Sequence, residues 1–198
     1  MESKKVFNFS AGPCVLPKSV LDIAQKELHS WRGTGVSVME MSHRGKSFIT
    51  IHEEAIKDIR ELLAIPTNFK IFFFSGGASL QFTAIPMNLL KKHKKANYLV
   101  TGAWSEAAAT EAKKYGTVNE VTPKAKAFQT LPDPSTWTVA EDADYFHYCE
   151  NETVHGVEIN GFPFDKIPAG QTVVCDMSSN FCSREIDWTR YGVVYAGI

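Results

Sequence analysis

The sequence predicts an α/β protein: a three-layer sandwich with a mostly parallel mixed sheet, preceded by an N-terminal arm and a helix. Three observations carry that expectation. Short apolar segments alternate with segments whose apolar residues recur at three- and four-residue spacing. The strand-like segments are apolar on both faces, as in a sheet buried between covering layers. Small, glycine-bearing turns join the two kinds of segment.

The elements follow in order. Residues 1–17, with "SAGPCVLP", form the arm, and residues 18–198 are expected to form one large domain. Pro17 suits a first helical turn, and Leu21, Ala24, Leu28 and Trp31 recur at helical spacing until Arg32-Gly33. "GVSVMEMSHRGKS" is too polar and glycine-punctuated to be core throughout. A second helix is expected from Ser47, with Phe48, Ile51, Ala55, Ile59 and Leu62 on one face and Pro66 as its stop. Ile71–Phe74 reads as a strand, followed by the "SGGAS" turn and a helix through Leu80, Ala84 and Met87, which Pro86 should weaken or kink. Then come a strand at Tyr98–Val100, a helix from Trp104 to Lys114, and strands at Val118–Val121, Tyr145–Cys149, Thr172–Cys175 and Val193–Tyr195.

The bulk properties narrow the function classes. The 198 residues carry a formal net charge of −1, with 44% apolar and 22% charged residues, which is ordinary for a globular protein. That balance gives no reason to expect nucleic-acid binding, and the Lys91–Lys95 cluster reads as a solvated helix end. No apolar run reaches the length of a membrane span, and "MESKKVFNF" lacks a signal-peptide core, so a cytoplasmic location is expected. Cys14, Cys149, Cys175 and Cys182 show no paired spacing. Cys149 and Cys175 sit in strand-like runs as small hydrophobes, and a metal site built from His147 and the three later cysteines is set aside for want of ligand spacing.

In a parallel sheet ligands gather beyond the carboxyl ends of the strands, so what each strand delivers there matters most. The strand before "SGGAS" delivers Gly76, Gly77, Ala78 and Ser79, whose bare amides at a helix start suit an anion. Other strands deliver Thr101, Gly102, Ala103 and Trp104; Glu150, Asn151, Glu152 and Thr153; and Asp176 with Ser178 and Ser179. Each has a plainer reading: a ligand-free turn, a helix-capping Asp, a core Trp, a loop-shaping Thr. Their joint placement favours a planar, phosphorylated pyridine, pyridoxal 5′-phosphate. The turn would hold its phosphate, Trp104 would stack on the ring, Thr153 would donate to the ring oxygen, and Asp176 would keep the ring nitrogen protonated.

Seven segments carry a family resemblance: "FNFSAGPCVLP", "EMSHRGKSF", "FFFSGGASLQF", "TGAWSEAA", "YCENETVHGVE", "CDMSSNFCSREID" and "YGVVYAG". In this order, along essentially the whole chain, they resemble the phosphoserine aminotransferases, class-V pyridoxal-phosphate enzymes of the aspartate-aminotransferase fold type. The resemblance implies a homodimer that moves an amino group from L-glutamate to 3-phosphohydroxypyruvate, giving phosphoserine and 2-oxoglutarate in serine biosynthesis. It implies that Gly77, Ala78 and Ser79 belong to the phosphate turn, that Trp104 stacks, that Thr153 touches the ring oxygen and that Asp176 pairs with the ring nitrogen, with Asp176 and Trp104 as catalytic residues. It also implies that His43 and Arg44 bind the substrate's anionic groups across the dimer interface, where the residues alone suggest only a polar loop. No metal is expected.

Two departures stand out. In the family, the strand resembling "VVYAG" leads into Gln-Lys-Asn, whose lysine anchors the cofactor, and this sequence stops at Ile198 before it. The expectation is an incomplete large domain without its C-terminal remainder, inactive as it stands. Ala11 stands where relatives carry a hydroxyl. Two other readings are held beside the aminotransferase: a non-catalytic binding module, favoured by the missing lysine, and a dinucleotide enzyme, disfavoured by the lack of a full G-x-G-x-x-G turn.

Overall fold

The structure is a computed structural model describing residues 6–9, 15–124 and 127–197. Ala11 and Cys14 lie outside the described residues. The chain divides into two compact units, Met1–Ile71 and Phe72–Ile198.

The first unit holds helices α1 (Lys18–Glu27) and α2 (Lys46–Leu62). The apolar spacing that predicts α1 runs on to Trp31, yet the helix ends earlier. Ser30 is extended, and Trp31–Gly33 forms a separate 3₁₀ turn with Arg32 at φ 46°. In that turn Arg32 forks onto Glu54 of α2 through bonds of 2.9 and 2.8 Å. Between the helices, Ser37 and Glu40 form a reciprocal capping box. The C-terminal end of α2 is closed by Arg60, which donates to the carbonyls of Ile65, Pro66 and Phe69.

The second unit is built on a five-stranded sheet. Its elements are α3 (Gly77–Leu89), β1 (Lys95–Leu99), α4 (Ala103–Ala112), β2 (Thr117–Glu120), β3 (Tyr145–Cys149), β4 (Asn151–Glu152), β5 (Val157–Glu158), β6 (Thr172–Asp176) and β7 (Val193–Tyr195). The sheet runs β2-β1-β3-β6-β7 with every pairing parallel, while β4 and β5 form a small antiparallel pair of their own. β1, β3 and β6 are buried almost throughout, as their two-sided apolar character demands.

Alternation along the strands feeds two cores. On one face Ala96, Tyr98, Tyr145, Val174 and Tyr195 meet Phe82 and Ile85 of α3 and Ala108, Ala109 and Ala112 of α4. The three alanines let α4 lie close to the sheet. On the other face Leu99, Phe146, Tyr148, Val173 and Cys175 pack with Ile159, Phe162 and Met177, ringed by Trp137, Phe164 and Tyr191 from loops and 3₁₀ turns. The sheet is thus the middle of three layers, one helical and one loop-rich.

One expected strand is absent. Ile71–Phe74 has the bulk of a strand but enters no ladder among the described residues, and β7 at the sheet's edge pairs with β6 alone. β propensity marks a segment that fits a pleated surface, whereas a strand exists only with a hydrogen-bonding neighbour. The lysine cluster also differs from expectation. It is a turn in which the amides of Lys91, Lys92, His93 and Lys94 all donate to the Asp144 carboxylate.

Candidate functional site

The carboxyl ends of β1, β3 and β6 and the start of α3 form one polar cluster in the second unit. Its centre is Asp176, the last residue of β6, which is 2% exposed. Register places it between Cys149 of β3 and Tyr195 of β7. One carboxylate oxygen accepts from the Ser178 amide at 2.9 Å and the Ser178 hydroxyl at 2.6 Å. Burial pushes the Asp176 carboxyl above the usual range, against the pull of these donors, and the nearby charge of Glu152 adds to the rise. No lysine or arginine pairs with it among the described residues.

Two other buried acids beside it are compensated. Glu150 takes Arg184 at 2.5 Å and the Asn180 side-chain amide at 2.9 Å. Glu152, with no exposure, accepts from the amides of Trp104 at 2.9 Å and Ser105 at 2.8 Å, so it caps the N-terminus of α4. The Ser105 hydroxyl oxygen accepts from the Thr101 and Gly102 amides of the same turn. Gly102 is required by this packing: a Cβ there would lie 2.5 Å from the Glu152 carboxyl.

The N-terminus of α3 is different. Gly76, in the left-handed region at φ 100°, opens the helix without a side-chain cap. Leu80 N–H begins the helical ladder on Gly76 C=O, and the amides of Gly77, Ala78 and Ser79 have no acceptor among the described residues. This terminus is tied to Asp176 through Gly197. The Gly197 amide donates to the Ser178 hydroxyl at 2.9 Å, and a Cβ on Gly197 would sit 2.8 Å from the Ala78 nitrogen.

Trp104 completes the cluster. Its indole is 43% exposed, and its Nε1–H donates to the Thr153 hydroxyl oxygen at 2.9 Å. That bond uses Thr153 as an acceptor and leaves the hydroxyl hydrogen for another partner. The structure therefore brings together Gly77, Ala78, Ser79, Trp104, Thr153 and Asp176. His43 and Arg44 belong to the first unit, in the exposed turn that opens α2, where the Gly45 amide bonds to Ser42 C=O at 2.8 Å.

Comparison with known proteins gives this cluster a setting. The family model for class-V aminotransferases matches residues 6–197. The chain belongs to that family. Phosphoserine aminotransferases from Drosophila melanogaster and Laribacter hongkongensis are each 49% identical to it over 97% of the chain, which covers 52% and 53% of those proteins. The chain thus spans about half the length of the curated relatives it matches. Among solved structures, the pyridoxal-phosphate-bound phosphoserine aminotransferase of Trichomonas vaginalis superposes with a TM-score of 0.90 at 43% identity, covering 97% of this chain and 53% of that one. The phosphoserine aminotransferase of Bacillus circulans subsp. alkalophilus gives 0.90 at 40% identity, covering 98% and 53%. At 15% identity, pyridoxamine–pyruvate aminotransferase from Mesorhizobium loti shares the fold, with a TM-score of 0.72. The fold class expected from strand and helix order is the one these structures have.

Sequence reasoning passed over Glu152 and Tyr195. Glu152 stands in the polar run after β3, but its partners lie 47 and 48 residues earlier, and no local pattern signals so distant a cap. Tyr195 reads as one more aromatic in a strand. His147, weighed only as a metal ligand, instead bonds to Tyr195 at 2.9 Å.

Proposed function

We propose that this chain forms the cofactor-binding part of a phosphoserine aminotransferase. The enzyme would move the amino group of L-glutamate to 3-phosphohydroxypyruvate, giving phosphoserine and 2-oxoglutarate for serine biosynthesis, as a cytosolic homodimer with pyridoxal 5′-phosphate. The observation that carries the reading is Asp176: a buried carboxylate with no cationic partner among the described residues, beside a helix terminus without a side-chain cap there. An anion and a cation borne on one flat ligand would satisfy both. The relatives of 49% identity supply the substrate class.

The residues divide the work. The amides of Gly77, Ala78 and Ser79 bind the phosphate, reinforced by the positive end of α3. Trp104 stacks on the ring, held in orientation by its bond to Thr153. Thr153 donates its remaining hydrogen to the ring oxygen. Asp176, oriented by Ser178, holds a proton on the ring nitrogen by charge pairing. The bound cofactor supplies an electron sink while that nitrogen stays protonated. Arg44 takes an anionic group of the substrate with its planar fork, and His43 assists.

The test is amino transfer between L-glutamate and 3-phosphohydroxypyruvate in the intact protein, wild type against Asp176→Asn. Losing a buried charge pair costs about 3 kcal/mol, so turnover should fall about a hundredfold. Turnover within about twofold of wild type would remove Asp176 from this role.

A further inference from the structure

Four consecutive residues after β3 tie two parts of the candidate site together. Toward β6, the Glu150 amide donates to Asp176 C=O at 2.9 Å, and the Glu150 carboxylate accepts from the Asn180 side chain at 2.9 Å. Asn151 grips Ser179: its side-chain amide donates to the Ser179 hydroxyl oxygen, and that hydroxyl donates to Asn151 C=O, both at 2.9 Å. Toward β1, Glu152 accepts the Trp104 and Ser105 amides, and Thr153 accepts the Trp104 indole N–H. The run is itself held by main-chain bonds, from Ile159 to Glu150 C=O at 2.8 Å and from Gly156 to Glu152 C=O at 2.7 Å.

The Asn151–Ser179 pair is the removable link in this frame. Ser178 donates twice to the Asp176 carboxylate, and Ser179 follows it directly in the chain. A serine hydroxyl has one hydrogen to give, and here both that hydrogen and a lone pair are spent on a single residue. Two bonds to one residue fix direction as well as distance, where one bond would leave a swivel. Two positions beyond Asn151, Thr153 holds the indole. The path from the Asp176 loop to Trp104 is therefore only three residues long, two of them in β4. A flat ligand that must meet a carboxylate with one atom and an indole with its face tolerates little error in that spacing.

We propose that Asn151 and Ser179 are positioning residues, whose paired bonds set the Asp176 carboxylate against the Trp104 indole so that one flat ligand meets both. This rests on the reading of Asp176 and Trp104 as cofactor contacts, but the link itself is a property of the protein alone. Ser179 makes no hydrogen bond to Trp104, Thr153 or the Asp176 carboxylate among the described residues. An effect of its hydroxyl on the indole is thus the mark of the link.

The experiment has two arms in the intact protein. The first, without cofactor, follows hydrogen exchange at the Trp104 indole N–H by NMR, the signal being assigned by its loss in Trp104→Phe. Ser179 is exposed, so truncating it empties no core. Ser179→Ala should speed this exchange about fivefold, the factor expected for one lost neutral hydrogen bond. Ser179→Thr, which keeps the hydroxyl, should match wild type. An unchanged rate in Ser179→Ala, or a threonine variant as fast as the alanine one, overturns the proposal. The second arm compares binding of pyridoxal phosphate with binding of its analogue carrying C–H in place of the ring nitrogen, which has no use for Asp176. Ser179→Ala should weaken pyridoxal phosphate about fivefold and the analogue by no more than about twofold. Equal weakening of both overturns the proposal, because the link would then support the scaffold without aligning its two contacts. If wild type binds both compounds alike, the cofactor role of Asp176 falls, and the exchange arm alone decides the link.

Discussion

The N-termini of α3 and α4 both follow a glycine, and they are used in opposite ways. At α4 the protein closes the terminus with its own acid: Glu152 takes the Trp104 and Ser105 amides, and Gly102 makes room for it. At α3 the amides of Gly77, Ala78 and Ser79 are left without an acceptor among the described residues, next to the loop that holds Asp176. A capped terminus is finished structure, whereas an uncapped one beside a buried carboxylate that no lysine or arginine pairs among the described residues is what the proposed cofactor reading needs. The same contrast separates Glu150 and Glu152, both compensated, from Asp176, which is not. Glycine-rich helix starts therefore do not announce ligands by composition; what distinguishes them is whether the protein supplies its own anion.

Gly102→Ala should break the α4 half of the comparison most severely. Backbone conformation is no obstacle, since φ is −179°, but the new Cβ would displace the fully buried Glu152 carboxyl. Losing two charge-assisted cap bonds should cost about 3 kcal/mol, read as a fall in urea midpoint. A loss under about 0.5 kcal/mol would mean that Glu152 is not held by the cap. Glu152→Gln keeps the shape and one acceptor while removing the charge, so about 1–2 kcal/mol should be lost. If the amide is as stable as the acid, the charge at α4 contributes nothing.

The gentlest test uses Asp144, where four successive amides of the turn Lys91–Lys94 surround one carboxylate as the α4 amides do Glu152. Burial works to raise its pKa, but the backbone donors prevail and hold it below its ordinary value. A depressed folded pKa contributes stability above the unfolded value of 3.8, lost as pH falls through the folded one. Asp144→Asn should flatten that part of the acid-unfolding profile. Asp176 has the opposite sign: its folded pKa is raised, so its ionisation costs stability as pH climbs from 3.8 through the folded value.

How much of this was legible in the sequence follows from range. The five sheet strands and four helices were readable because periodicity and two-sided apolar runs are local signals, and their ends moved by few residues. The sequence grouped Gly77, Ala78, Ser79, Trp104, Thr153 and Asp176 by expecting each at a strand end; Trp104, Thr153 and Asp176 do lie at or beyond the carboxyl ends of β1, β3 and β6, whereas the turn at Gly77–Ser79 follows a segment that enters no ladder among the described residues. The misread strand at Ile71–Phe74 has the right side chains but enters no ladder among the described residues, and the helix through Trp31 was ended by one extended serine. The Glu152 cap and the His147–Tyr195 bond were hidden because each joins residues almost fifty positions apart.

On the proposed function, Asp176 awaits a cation that the cofactor brings. The direct measurement is thermal unfolding of the intact protein, wild type and Asp176→Asn, at neutral pH with and without saturating pyridoxal phosphate. Without cofactor the asparagine variant should be at least as stable as wild type, because it carries no buried unpaired charge. With cofactor the order should reverse: a hundredfold weaker complex forfeits about 2.7 kcal/mol of ligand stabilisation. Equal stabilisation of both proteins by the cofactor would contradict the claim.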